Sequence, residues 1–98
     1  MLSPDSINRC VQQTSAGPDA VLRLRTRFSL GFMLNQDNPS GSMGPGPRIF
    51  GHPGAGGALG LADPDVKMGF GYVMNKMDTF ILVDPRARRL IDAAYACL

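Results

Sequence analysis

The chain has 98 residues, 10 basic and 8 acidic for a formal net charge of +2, with 12 glycines, 8 prolines and a hydrophobic fraction of 44%. This length supports one small domain with a thin core, and the glycine and proline content excludes a plain helix bundle in favour of turns and close backbone approaches. The excess charge lies in Arg23, Arg25 and Arg27 and in Arg86, Arg88 and Arg89, two short clusters without interleaved aromatics, so no nucleic-acid partner is expected.

Ser3, Pro4 and Asp5 form a helix-start signal, and a short helix is expected over residues 4–13. Residues 27–34, RFSLGFML, alternate as a half-buried strand, with Phe28, Leu30, Phe32 and Leu34 on one face and Ser29, Gly31 and Met33 on the other. Residues 35–47, NQDNPSGSMGPGP, have no apolar period and read as a flexible loop. Residues 48–62, RIFGHPGAGGALGLA, read as an apolar strand whose glycines let another group approach the backbone. Asp63-Pro64-Asp65 then supplies a turn.

Residues 67–77, KMGFGYVMNKM, alternate again, with Met68, Phe70, Tyr72 and Met74 opposite Gly69, Gly71 and Val73, and should pair with the preceding strand as a hairpin. Asp84 is placed as an N-cap, with Pro85 at the first helical position. Ala87, Leu90, Ile91, Ala94 and Leu98 follow at three-and-four spacing, the stripe of an amphipathic C-terminal helix lying on the sheet. The expectation is an α+β class of three antiparallel strands with that helix packed on them, as a single partial domain over 1–98. The face bearing Phe28, Phe32, Phe70 and Tyr72 lacks a cover within the chain.

Cys10 and Cys97 lie near opposite ends without a CxxC pair, and His52 is the one histidine, so a metal site is not expected; whether the two thiols pair stays open. No basic-then-apolar leader opens the sequence and no apolar run reaches the ~18 residues of a membrane span, from which a cytoplasmic protein without a membrane partner is expected. Gly54 and Gly56 begin a G-x-G-x-x-G pattern that Leu59 breaks, and no G-x-x-x-x-G-K occurs. The methionines, Met68, Met74 and Met77 among them, read as adaptable core filling.

The sole histidine stands in GHPGAGG, residues 51–57, where side chains are otherwise scarce. It is either a solvated residue of a glycine-rich turn or the one side chain kept to act on a substrate for which the glycines clear space. FGHPGAGGALGLADPDVKMGFGYVMNKM, together with DPRARRLIDAAY, resembles the C-terminal end of the serine β-lactamase-like family. That group includes class C β-lactamases, D-alanyl-D-alanine carboxypeptidases and β-lactamase-fold carboxylesterases. The resemblance runs over residues 26–96 and is strongest from Phe50 to Met77.

The resemblance implies a partial β-lactamase/transpeptidase-like fold in which His52, Pro53 and Gly54 occupy the third signature, Lys-Thr-Gly or a His-x-Gly variant. His52 would orient substrate or share in proton transfer, Gly54 would open the backbone, and the Ala55 N–H would be an oxyanion donor. Substrate would lie along His52, Pro53, Gly54, Ala55 and Gly56, with no metal or organic cofactor. Pro53 in place of a hydroxyl residue favours acyl esters over β-lactam-like substrates. No serine has lysine three positions on, so the Ser-x-x-Lys nucleophile is absent and inactivity of the chain alone is expected. Ser6-Ile7-Asn8 fits the letters of the second signature but lies too near the third. The alternative is a non-catalytic remnant or interaction module that associates through an exposed strand edge.

Overall fold

The computed structural model describes residues 2–98. Among the described residues, six antiparallel strands form one sheet in sequence order: β1 (Ser15–Pro18), β2 (Arg25–Phe28), β3 (Met33–Leu34), β4 (Phe50–Pro53), β5 (Leu59–Asp63) and β6 (Met68–Tyr72). Helix α1 (Pro4–Cys10) precedes them and α2 (Pro85–Ala96) follows. The α+β class and the C-terminal helix on an antiparallel sheet are as the sequence led us to expect; the strand count is twice the expected three. Among the described residues no helix is long and apolar enough to cross a membrane.

Helix α1 starts where expected, with the Ser3 hydroxyl accepting the Ser6 N–H at 3.1 Å and Pro4 in the first turn. It ends at Cys10 rather than residue 13, because Thr14 is already captured by the sheet through its N–H to Phe28 O at 2.8 Å. That capture continues as β1, a segment with no strand pattern of its own. Its pairing is dictated by β2, and Pro18 is tolerated because β1 is an edge. Between them the Asp19 carboxylate accepts the N–H groups of Val21 and Leu22, each at 2.8 Å. Those hydrogen bonds hold its carboxyl below the usual range.

The expected single strand over 27–34 is two strands with a reversal between them. Gly31, at φ 82°, lets the chain turn so that Ser29 N–H meets Phe32 O at 2.9 Å and Phe28 pairs with Met33. The reversal resets the alternation: Leu30 sits at the tip, 65% exposed, while Ser29 and Met33 are buried. Residues 48–62 likewise divide into β4 and β5 around a turn at Gly54–Ala58, whereas the β5–β6 hairpin forms as read. Strand β6 stops at Tyr72, which leaves Val73 and Met77 exposed rather than in a core.

Residues 35–47 contain no helix or strand, and their course is set by Asn35. Its buried amide donates to Gly44 O at 2.8 Å and Gly46 O at 2.7 Å and accepts the Met43 N–H at 2.7 Å. Met43 thereby enters the core with Ile49, Leu59, Leu61, Val83, Ala87 and Ile91. Helix α2 presents Ala87 and Ile91, both fully buried, with Tyr95 packed beside them; full burial of a residue like Ile91 contributes about 1.5–3 kcal/mol. Leu90 and Leu98 of the expected stripe are exposed, so the buried face is narrower. Tyr95 also donates its O–H to the buried Asp63 at 2.5 Å, tying α2 to the end of β5.

The four aromatics assigned to one face divide between two. Phe70 and Tyr72 pack against the core beneath α2, whereas Phe28 and Phe32 lie against His52 and Phe50. The physical reason is the reset of alternation at the two turns, which side-chain counting along an unbroken strand misses.

Candidate active site

Cross-strand register places His52 opposite Gly60, and Gly60 opposite Gly71, in one row across β4, β5 and β6. The next row on the same face is Phe50, Ala62 and Gly69. A side chain added at Gly60, Gly69 or Gly71 would meet nothing within 4 Å, so the face is bare and open. A shallow cleft of about 310 Å³ lies there, lined by Phe32, Phe50, His52, Gly60 and Ala62 among others. Strands β4 and β5 approach closely beneath it: a Cβ at Gly51 would collide with the Gly60 carbonyl and lie 2.7 Å from Leu61 Cα.

His52 is exposed on this face, its ring 6.3 Å from that of Phe28, and its Nδ1 is 2.7 Å from Pro53 O. A carbonyl can only accept, so a proton on Nδ1 satisfies the contact and leaves the Nε2 lone pair free as an acceptor. Pro53, next along the strand, is buried on the opposite face near Met33, Met43, Leu82 and Val83. Its ring is therefore not brought together with the imidazole.

The turn after β4 is held by its backbone. Gly54 N–H donates to Ala58 O at 2.7 Å, Gly57 N–H to Gly54 O at 3.0 Å, and Gly56 N–H to Phe80 O at 3.0 Å. The Ala55 N–H has no acceptor among the described residues. Gly56 and Gly57 stand at φ 92° and 120°, where other residues are strained, and Met77 covers Gly56. The structure thus brings His52 and an unpaired backbone donor onto the same hairpin end.

Asp84 and Arg86 reach this turn from α2, a connection with no sequence signal beyond the cap itself. Arg86 Nε lies 3.1 and 3.0 Å from the two Asp84 carboxylate oxygens and Nη2 lies 2.5 Å from one of them. The guanidinium also donates to Lys76 O at 2.8 Å and Gly56 O at 3.3 Å. The Arg86 side chain beside it, with its backbone N–H, holds the Asp84 carboxyl below the usual carboxylate range against the opposing effect of burial. A larger cleft of about 510 Å³ between β2 and residues 35–47 is lined by Arg25, Arg27 and Asn35 among others. It pairs no nucleophile with a base, and Arg27 is engaged by Gln13 and by Asn35 O.

Comparison with known proteins bears on the family and the fold. The family model described as Beta-lactamase matches residues 1–94. A family VIII carboxylesterase of known structure is 44% identical and superposes with a TM-score of 0.90 over 99% of this chain. A penicillin-binding protein homologue from Caulobacter crescentus is 38% identical, with a TM-score of 0.88 over 99% of the chain. EstA from Arthrobacter nitroguajacolicus Rue61a is 29% identical, with a TM-score of 0.74 over 97%. The chain spans 26% of the length of each of these structures. No curated protein matches it. With a family match over nearly all of its residues and a fold shared with these structures, the chain belongs to the β-lactamase family.

Proposed function

We propose that the bare face of β4–β6 and the Gly54–Gly57 turn form one wall of the active site of an acyl-enzyme serine hydrolase acting on esters. The observation that carries this reading is His52 standing on a face otherwise cleared by Gly60 and Gly71, at the end of a hairpin whose Ala55 N–H is unpaired. An ester would lie across the glycines with its carbonyl oxygen toward the Ala55 N–H. A preorganised backbone donor of this kind stabilises the charge that develops on that oxygen as a serine adds to the carbon. The alcohol leaves, an acyl-serine remains, and water releases the acid.

His52 would act through its free Nε2, accepting a hydrogen bond from the alcohol part of the substrate or from the proton network of the serine. No serine of this sequence has lysine three positions on, so the nucleophile and its base come from other residues and this chain alone is inert. Esters are favoured over β-lactams because Pro53 carries no hydroxyl and turns its ring away from His52. The similarity to a carboxylesterase at 44% identity supports the same choice.

The test is to read the coding DNA on the 5′ side of the Met1 codon and to assay the protein it encodes with p-nitrophenyl esters and a chromogenic cephalosporin. The expected result is an in-frame Ser-x-x-Lys followed by Tyr-x-Asn or Ser-x-Asn, with ester hydrolysis the faster activity. Absence of both motifs, with concentration-dependent association of the purified chain, would replace the catalytic reading by an interaction module using the same open face.

A further inference from the structure

The two backbone hydrogen bonds internal to the Gly54–Gly57 turn, Gly54 N–H to Ala58 O and Gly57 N–H to Gly54 O, engage neither Ala55 nor Gly56. Three of its four residues are glycine, two of them at positive φ, and a turn of this kind samples many conformations unless held from outside. A donor that wanders is a weak oxyanion donor, because misplacement by about 1 Å costs on the order of a hundredfold in rate. The external restraint here is concentrated on Gly56, next to Ala55. Its N–H meets Phe80 O, and its carbonyl accepts both the Asp78 N–H at 3.0 Å and Arg86 Nη2 at 3.3 Å.

Arg86 is itself fixed. Asp84, 1% exposed, caps α2 through the Arg86 N–H at 2.7 Å and grips the guanidinium with both carboxylate oxygens. The same carboxylate fills the space that a Cβ at Gly57 would need. One turn further on, Ala87 is fully buried in the core, so the start of α2 is a rigid base. Guanidinium and carboxylate cancel in net charge, and what the pair delivers to the turn is geometry: a planar fork whose remaining donors reach Gly56 O and Lys76 O.

We propose that Arg86, oriented by Asp84, is a positioning residue that locks the Gly54–Gly57 turn and thereby fixes the Ala55 N–H; this rests on the reading of Ala55 as an oxyanion donor. Lysine keeps the charge and lacks the fork, so Arg86→Lys does not rescue the function. The paired variant Asp84→Asn with Arg86→Gln removes the fork without stranding a buried carboxylate, and asparagine retains a capping side chain.

The experiment is residue-resolved amide exchange by NMR on the full chain, for the parent sequence, Arg86→Lys and the paired variant. Exchange at Gly56 and Asp78 is expected to rise about tenfold or more in both, with the β5–β6 ladder amides staying within about twofold. In the ester-hydrolysing protein the same variants lower kcat by about tenfold to a hundredfold with KM little changed. Arg88→Gln, whose guanidinium meets Asp92 and Ser42 O instead, leaves both constants unchanged. Unchanged exchange at Gly56 and Asp78, a rise spread evenly over the sheet, or full recovery of kcat by Arg86→Lys would each overturn the proposal. Intact turnover in His52→Ala would sink the active-site reading separately, while the exchange data still decide the role of Arg86 in the turn.

Discussion

Tyr95→Phe tests how the C-terminal helix is joined to the sheet. The ring stays, so packing against Ile49, Gly44 and the rest of the core is retained, and only the O–H that reaches Asp63 at 2.5 Å is lost. Asp63 is 1% exposed, and its other oxygen keeps the Asp65 N–H at 3.0 Å, so one carboxylate oxygen is left without a donor in a site closed to water. A hydrogen bond to a charged group contributes about 1.5–3 kcal/mol, and a loss of about 2 kcal/mol lowers Tm by roughly 8–16 °C in a domain of this size. Burial, and secondly the hydrogen bond to Asp63, raise the Tyr95 pKa above its ordinary value of 10.0. The folded chain therefore holds this proton more tightly than the unfolded one. The stabilisation is complete below pH 10 and declines as pH rises beyond it, and the variant lacks that decline. Thermal unfolding followed by circular dichroism at neutral and alkaline pH measures both effects. A Tm difference under about 2 °C, or a gap between the two proteins that does not narrow in alkali, would mean that the Tyr95–Asp63 hydrogen bond does not hold the helix to the sheet.

Asn35→Ala removes three hydrogen bonds that pin residues 43–46 and should cost about 3 kcal/mol, read as a lower urea midpoint at unchanged slope. Gly51→Ala places a methyl against the β5 backbone and should destabilise by roughly 1–3 kcal/mol, whereas Gly71→Ala enters open space and should stay within about 0.5 kcal/mol. Equal effects of the two in side-by-side thermal unfolding would contradict the close approach of β4 and β5. The depressed Asp84 pKa means that its pairing stabilises the fold above the ordinary value of 3.8 and that this contribution is lost as pH falls through the lower folded value. Acid titration of stability should therefore show a step that is missing when Asp84→Asn and Arg86→Gln are combined.

The elements legible from sequence were those whose signals are local. Helix α2 announces itself by Asp84-Pro85, and the β5–β6 hairpin by an apolar strand before an Asp-Pro turn and an alternating one after it. Residues 27–34 misled because Gly31 fits an alternating strand as well as it fits the reversal it makes, and only the partner strands decide between them. Strand β1 carries no pattern because pairing with β2 alone creates it. The site shows the same division. His52 stands out by its glycine setting, whereas the ring of Pro53 falls on the far side because strand neighbours face opposite ways, which an unbroken motif reading overlooks. Arg86 was visible only as one of a basic cluster, since its contact with Gly56 spans 30 residues.

His52 and the cleared face beneath it are the centre of the proposed site. The most direct measurement is steady-state hydrolysis of a p-nitrophenyl ester by the proposed hydrolase that contains this chain and by its His52→Ala variant, with circular dichroism confirming that both are folded. The variant's kcat is expected to fall about a hundredfold, the scale of losing one positioned proton-handling group. Equal turnover by the two proteins would contradict it.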